Sequence, residues 1–133
     1  MVNRMAERPD VCQDSHVPSI LIVDDHPSFR STARVLLQAE GFEVVGEAAD
    51  GDSAVRAAQE LRPDVVLLDV QLPDFDGFEV ARRLARMNGG SPAVILTSSR
   101  DAADFGPLVE ESGARGFVPK AELSGPALSA LLA

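Results

Sequence analysis

The sequence predicts an α/β protein, a three-layer sandwich with a parallel five-stranded sheet between two layers of helices. Three observations carry this. From Ile20 onward, short apolar runs alternate with amphipathic stretches, giving five strands interleaved with five helices. The runs are continuously apolar rather than alternating, which indicates burial on both faces. The length, 133 residues, suits one domain. A domain of that size hides roughly two-thirds of its unfolded surface.

Residues 1–17, MVNRMAERPDVCQDSHV, are polar and aperiodic and are read as a flexible tail before a domain spanning 18–133. The first strand is the apolar part of SILIVDD, which ends in Asp24 and Asp25. In PSFRSTARVLLQAEG, Phe29, Ala33, Leu36 and Leu37 recur at helical spacing, with Pro27 in the first turn and Gly41 at the C-cap. FEVVGEA is the second strand. DGDSAVRAAQELRP is the second helix, with Asp50 as N-cap and Pro63 beyond its end. DVVLLD is the third strand and closes on Asp69. In the third helix, DGFEVARRLARMNGG, Asp76 and Glu79 read as a capping box ahead of a Phe78, Ala81, Leu84, Ala85 stripe. PAVILTSS is the fourth strand. Between Asp101 and Gly113 a helix is expected, kept short or started near Pro107 by the Gly106-Pro107 pair. RGFVPK is a short fifth strand, and LSGPALSALLA is a last helix beginning near Ser124 or Gly125.

Composition narrows the function. Twelve basic against 21 acidic residues give a net charge of −9, which repels nucleic acid and anionic membranes and suits cations or basic partners. Cys12 is the only cysteine, so no intrachain disulfide forms. No apolar run approaches the roughly 20 residues that span a bilayer. No signal-peptide core is present, and a cytoplasmic location is expected.

In open parallel sheets, ligands bind beyond the carboxyl ends of the strands. The first strand delivers Asp24 and Asp25 to that rim, the third Asp69, the fourth Thr97-Ser98-Ser99 and the fifth Lys120. Three clustered carboxylates repel one another unless a cation offsets them. Oxygen-only donors around an open position suit Mg²⁺. A lysine and a hydroxyl facing that cation can clamp the oxygens of a transferring phosphoryl group. One of the carboxylates can itself be the nucleophile.

At these residues the chain resembles the response-regulator receiver domains of bacterial two-component signalling. The matching blocks are the DD of ILIVDDHPSFR, Asp69 in VVLLDVQLPDFDGFE, Thr97 in VILTSS and Lys120 in GFVPK, in register over residues 19–133. DDHP followed by FR is most similar to the NarL/FixJ-type members, which usually precede a helix-turn-helix DNA-binding domain. The resemblance implies a flavodoxin-like (βα)5 fold with strand order 2-1-3-4-5. It implies that Asp69 accepts a phosphoryl group from a sensor histidine kinase or phosphotransfer protein. Asp25 would ligate Mg²⁺ directly, Asp24 through water, and Gln71 through its backbone carbonyl. Lys120 would pair with Asp69, Thr97 would move toward the phosphoryl oxygens, and Phe117 would follow it inward as the switch. A homodimer on phosphorylation is a further possibility, and the acidic balance without a basic patch leaves no expectation of direct nucleic-acid or membrane binding by this segment.

Some positions depart from the family pattern. Phe75 stands where the family usually has methionine, and Phe117 lacks the hydroxyl of the common tyrosine. Gln71 and Ser99 lie where the family tunes dephosphorylation. Asp74 and Asp76 read as structural acids, His26 as a turn residue, and His16 and Cys12 as inert tail residues. Three alternatives compete with a receiver feeding a DNA-binding domain beyond this chain. One is a stand-alone receiver that acts by docking, another a pseudo-receiver that has lost phosphorylation. The third, a Mg²⁺-dependent aspartyl phosphohydrolase, commonly needs an acid where Gln71 stands.

Overall fold

The computed structural model describes residues 17–87, 90–100 and 102–132. Apart from Val17, the expected tail lies outside the described residues, with Cys12 and His16 in it.

The elements follow the expected order. They are β1 (Ser19–Val23), α1 (Pro27–Ala39), β2 (Glu43–Ala48), α2 (Gly51–Leu61), β3 (Val65–Asp69), α3 (Gly77–Ala85), β4 (Ala93–Ser98), α4 (Leu108–Glu111), β5 (Gly116–Pro119) and α5 (Gly125–Leu132). Single 3₁₀ turns, Ala102–Phe105 and Lys120–Glu122, precede α4 and α5. All strand pairings are parallel, in order β2-β1-β3-β4-β5. No helix of the described residues is long and apolar enough to cross a membrane.

The continuous apolar runs are explained by the layers. Successive strand side chains point to opposite faces. Leu21, Val23, Val66, Leu68, Val94 and Leu96 pack against Ala54 and Ala58 of α2 and Phe78, Ala81 and Leu84 of α3. The intervening Ile20, Ile22, Val65, Leu67 and Ile95 pack against Ala33 and Leu37 of α1 and Leu128 of α5. With helices on both faces, β1, β3 and β4 leave no interior position for a polar residue until the rim, while the edge strand β2 exposes Glu43.

The caps largely match the residue types. Asp50 accepts from the Ser53 N–H at 2.8 Å and Asp76 from the Glu79 N–H at 2.8 Å. Only half of the expected capping box forms. The Glu79 carboxylate takes charge-assisted bonds from Arg82 and Arg83, both 3.0 Å, instead of reaching back toward Asp76. α2 ends through Arg62 in the left-handed conformation, φ 47°. α4 is a single turn, as the Gly106-Pro107 pair required. Gly106 sits at φ 56° and Pro107 offers no N–H, so the helix cannot extend backward. No residue of α4 is buried, and Leu108 is exposed.

Candidate functional site

Four elements bring the predicted residues to one rim. Asp24 follows β1 directly, and its N–H continues the sheet by donating to the Ala48 carbonyl at 3.0 Å. Asp69 is the last residue of β3 and pairs in register with Thr97 of β4. Lys120 follows β5 and turns back across the rim. Asp24, Asp69 and Thr97 are all buried, so the rim carries polar groups in a low-dielectric setting.

Lys120 joins the acids. Its Nζ lies 2.6 Å from Asp24 Oδ2 and 3.3 Å from Asp69 Oδ2. The ammonium also sits over the Phe29 ring, 4.5 Å from its centroid, so its inner side faces a π-cloud rather than water. Asp69 Oδ1 accepts from the Gln71 N–H at 3.1 Å. Asp24 Oδ1 accepts from the His26 N–H at 2.8 Å. His26 Nδ1 lies 2.9 Å from Asp24 Oδ1 and 3.1 Å from Asp25 Oδ1. Carboxylates only accept, so these contacts require the proton on Nδ1.

The two buried acids differ in how tightly they hold a proton. Burial is the largest influence on Asp24 and raises its pKa, but Lys120 and His26 together outweigh it and hold the group below its ordinary value. Burial is also the largest influence on Asp69, and the repulsion of Asp24 adds to it. The Gln71 N–H and Lys120 only partly compensate, leaving the Asp69 pKa raised to about 6. For Lys120, burial pulls downward, and the two carboxylates more than offset it, so the ammonium is held above its ordinary value.

The donor set fits a hard divalent cation. Ligand atoms of Asp24, Asp25, His26 and Asp69 all lie within 4.8 Å of one another. Three carboxylates and one ammonium sum to −2 (−3 and +1), the charge a Mg²⁺ ion would offset. Asp25 is the partly exposed carboxylate of the three and faces solvent, where an ion would enter.

Thr97 and Phe117 complete the predicted set, on its other side. The Thr97 hydroxyl is buried with no hydrogen-bond partner among the described residues. Phe117 of β5 is half-buried, and its ring lies 5.6 Å from Phe105, which in turn packs edge-on against Phe78 at 5.5 Å. Gln71 is exposed and bridges to Asp76.

Sequence reasoning missed several participants. His26 reaches the acidic cluster, although it was read as a turn residue. Phe29 underlies Lys120. Glu47, next to the end of β2 and without an evident role in the sequence, takes bonds from Arg30 (3.0 Å) and Arg34 (2.8 Å), while Arg30 also donates to the Asp24 carbonyl at 2.6 Å. An i, i+4 pair of arginines on a helix facing a strand-end acid was the available signal.

Comparison with known proteins agrees with this geometry. The family model described as response regulator receiver domain matches residues 20–131. The DNA-binding response regulator MtrA of Mycolicibacterium smegmatis is 46% identical over 103 residues, covering 76% of this chain and 43% of the relative. A Bordetella pertussis transcription regulator named BvgA is 41% identical over 103 residues, covering 77% of this chain and 49% of the relative. The chain thus spans about half the length of these curated relatives. A solved receiver domain of a Mycobacterium tuberculosis response regulator named NarL superposes with TM-score 0.77 at 30% identity, covering 87% of this chain and 97% of that one.

Proposed function

The chain belongs to the response regulator receiver domain family, and on that premise we propose that residues 18–133 form a switch driven by phosphorylation of Asp69. The phosphoryl group comes from a phosphohistidine of a sensor histidine kinase or phosphotransfer protein. In the transfer an Asp69 carboxylate oxygen forms the new O–P bond as the N–P bond to the donor imidazole breaks. The imidazole leaves with the electron pair of that bond.

The observation that carries this reading is the placement of Lys120 between Asp24 and Asp69, with Thr97 beside them. A buried aspartate at about pKa 6 remains mostly ionised at neutral pH and is available as a nucleophile. The same burial leaves it poorly solvated, so little water must be stripped from it. Lys120 holds the Asp69 carboxylate in place and can follow its charge onto the phosphoryl oxygens. Thr97 carries a hydroxyl without a partner among the described residues, which can donate to a phosphoryl oxygen.

Asp24, Asp25 and Asp69, with the Gln71 backbone carbonyl, would hold Mg²⁺. When bound, the ion offsets charge that builds up between the acidic rim and the incoming phosphoryl group. Movement of Thr97 then draws on Phe117, reshaping the face around α4, β5 and α5 as a population shift. The output of the longer relatives is DNA binding or transcription by name. A helix-turn-helix output domain outside this chain is the reading we favour for the whole protein, with dimerisation on phosphorylation.

The test is an intact mass after incubation with Mg²⁺ and acetyl phosphate. One added phosphoryl group is expected in the wild type and none in Asp69→Asn or with the metal chelated. An unmodified wild type, under conditions that label a known receiver, would sink the proposal. Steady phosphate release from phosphoesters would favour a hydrolase.

A further inference from the structure

The loop between Asp69 and α3 is held at three places. At its base the Gly77 N–H donates to the Val70 carbonyl at 2.6 Å, and a Cβ on Gly77 would come within 2.7 Å of Val70 Cα. Across its middle Gln71 bridges to Asp76. At its tip, Asp74 reaches a different element. Its Oδ1 accepts from the Gly51 N–H at 2.7 Å and from its neighbour Phe75 N–H at 2.9 Å, and its Oδ2 accepts from the Asp52 N–H at 3.0 Å.

These bonds complete the N-terminus of α2. A helix leaves its first four N–H groups without internal partners. Here the Ser53 N–H is satisfied by the side chain of Asp50. Gly51 and Asp52 are satisfied by Asp74, more than twenty residues further along the chain. The approach is close enough that a Cβ on Gly51 would meet Phe75 Cδ2 at 2.7 Å. On the far side of the tip, Arg83 of α3 lies over the Phe75 ring at 4.3 Å. The segment carrying Gln71 is thus spanned between two helices.

We propose that Asp74 is a positioning residue for phosphoryl acceptance. It tethers the β3–α3 loop to α2 and so fixes the Gln71 backbone, whose N–H already orients Asp69. The inference rests on the reading above, in which the Gln71 carbonyl is a metal ligand. Freed of its tether, the loop samples more backbone conformations and binds the ion less well, since partners that orient ligands typically contribute tenfold or more to affinity.

Calorimetric titration of the whole chain with Mg²⁺ tests this, with acetyl phosphate labelling read in parallel. Asp74→Ala is expected to raise the dissociation constant about tenfold and to slow labelling at subsaturating Mg²⁺, with excess Mg²⁺ restoring the rate. Asp50→Ala is the control. It removes the other half of the same helix cap and should lower the melting temperature without changing the dissociation constant. Asp74→Asn keeps one acceptor oxygen and should show a smaller loss of the same sign, and it carries the comparison should Asp74→Ala not fold. Unchanged metal affinity in both Asp74 variants, or an equal loss in Asp50→Ala, would overturn the assignment of Asp74 alone. A wild type that neither binds Mg²⁺ nor labels would overturn the parent reading as well.

Discussion

The two halves of the rim are built differently. On the β1–β3 side, Asp24, Asp25 and Asp69 are each in contact with a hydrogen-bond donor or an ammonium, and the β3–α3 loop beyond Asp69 is clasped at base and tip. On the β4–β5 side, the Thr97 hydroxyl is buried without a partner among the described residues, Phe117 is half-buried, and the neighbouring helix is one exposed turn. Chemistry that needs fixed geometry belongs on the first half, where backbone bonds over-determine the positions. A response that needs two arrangements belongs on the second, where few bonds must break to move between them.

Four measurements sharpen or break this contrast, from the largest effect to the smallest. Lys120→Ala should destabilise most, by about 3 kcal/mol in urea melts, because it leaves two buried carboxylates without their counter-charge. A loss below about 1 kcal/mol would mean the rigid half does not depend on this ion pair.

The pH dependence of the metal-free protein comes next. Asp69 is raised in the folded state, so the stabilisation from its protonated form is complete below its ordinary value of 3.8 and is lost as pH rises through about 6. Asp24 is lowered and acts in the opposite sense, its contribution being lost only as pH falls below 3.8. Wild-type stability relative to Asp69→Asn should therefore climb by up to about 2 to 3 kcal/mol between pH 7 and pH 4. A flat difference would show that Asp69 is not strained by its burial.

Phe105→Ala breaks the ring stack between Phe78 and Phe117 and should cost about 2 kcal/mol, less than a fully buried phenylalanine. It should leave labelling of Asp69 by acetyl phosphate intact, since neither ring it stacks on, Phe78 or Phe117, is one of the acids or the lysine at the rim. Loss of labelling would merge the two halves. Smallest in stability is Thr97→Val, which removes a buried hydroxyl that has no partner among the described residues and should stabilise the unphosphorylated protein by up to about 1 kcal/mol. Amide exchange or NMR shifts around β5 should then respond less to phosphorylation. An undiminished response would remove Thr97 from the switch.

Residues whose roles follow from chain pattern were legible in the sequence. Period, apolar runs and caps give the strands, the helices and the strand-end positions of Asp24, Asp69, Thr97 and Lys120, because a parallel sheet sends every strand end to the same edge. The short α4 was legible for the same local reason, since Gly106-Pro107 acts within its own turn. Glu79 was only half legible: its spacing from Asp76 fits a capping box, but two nearby arginines compete for its carboxylate.

The amino-acid sequence by itself determined which residues reach the rim, because strand ends, burial on both faces and helix ends are set by local pattern and chain direction, and parallel strands all end at one edge. Only the tertiary structure decided what each of them meets there: Lys120 between Asp24 and Asp69 and over Phe29, Phe105 on Phe117, Asp74 on the N-terminus of α2. Those pairings join residues far apart along the chain. Their distances depend on how loops close over a packed core, and no local preference encodes that.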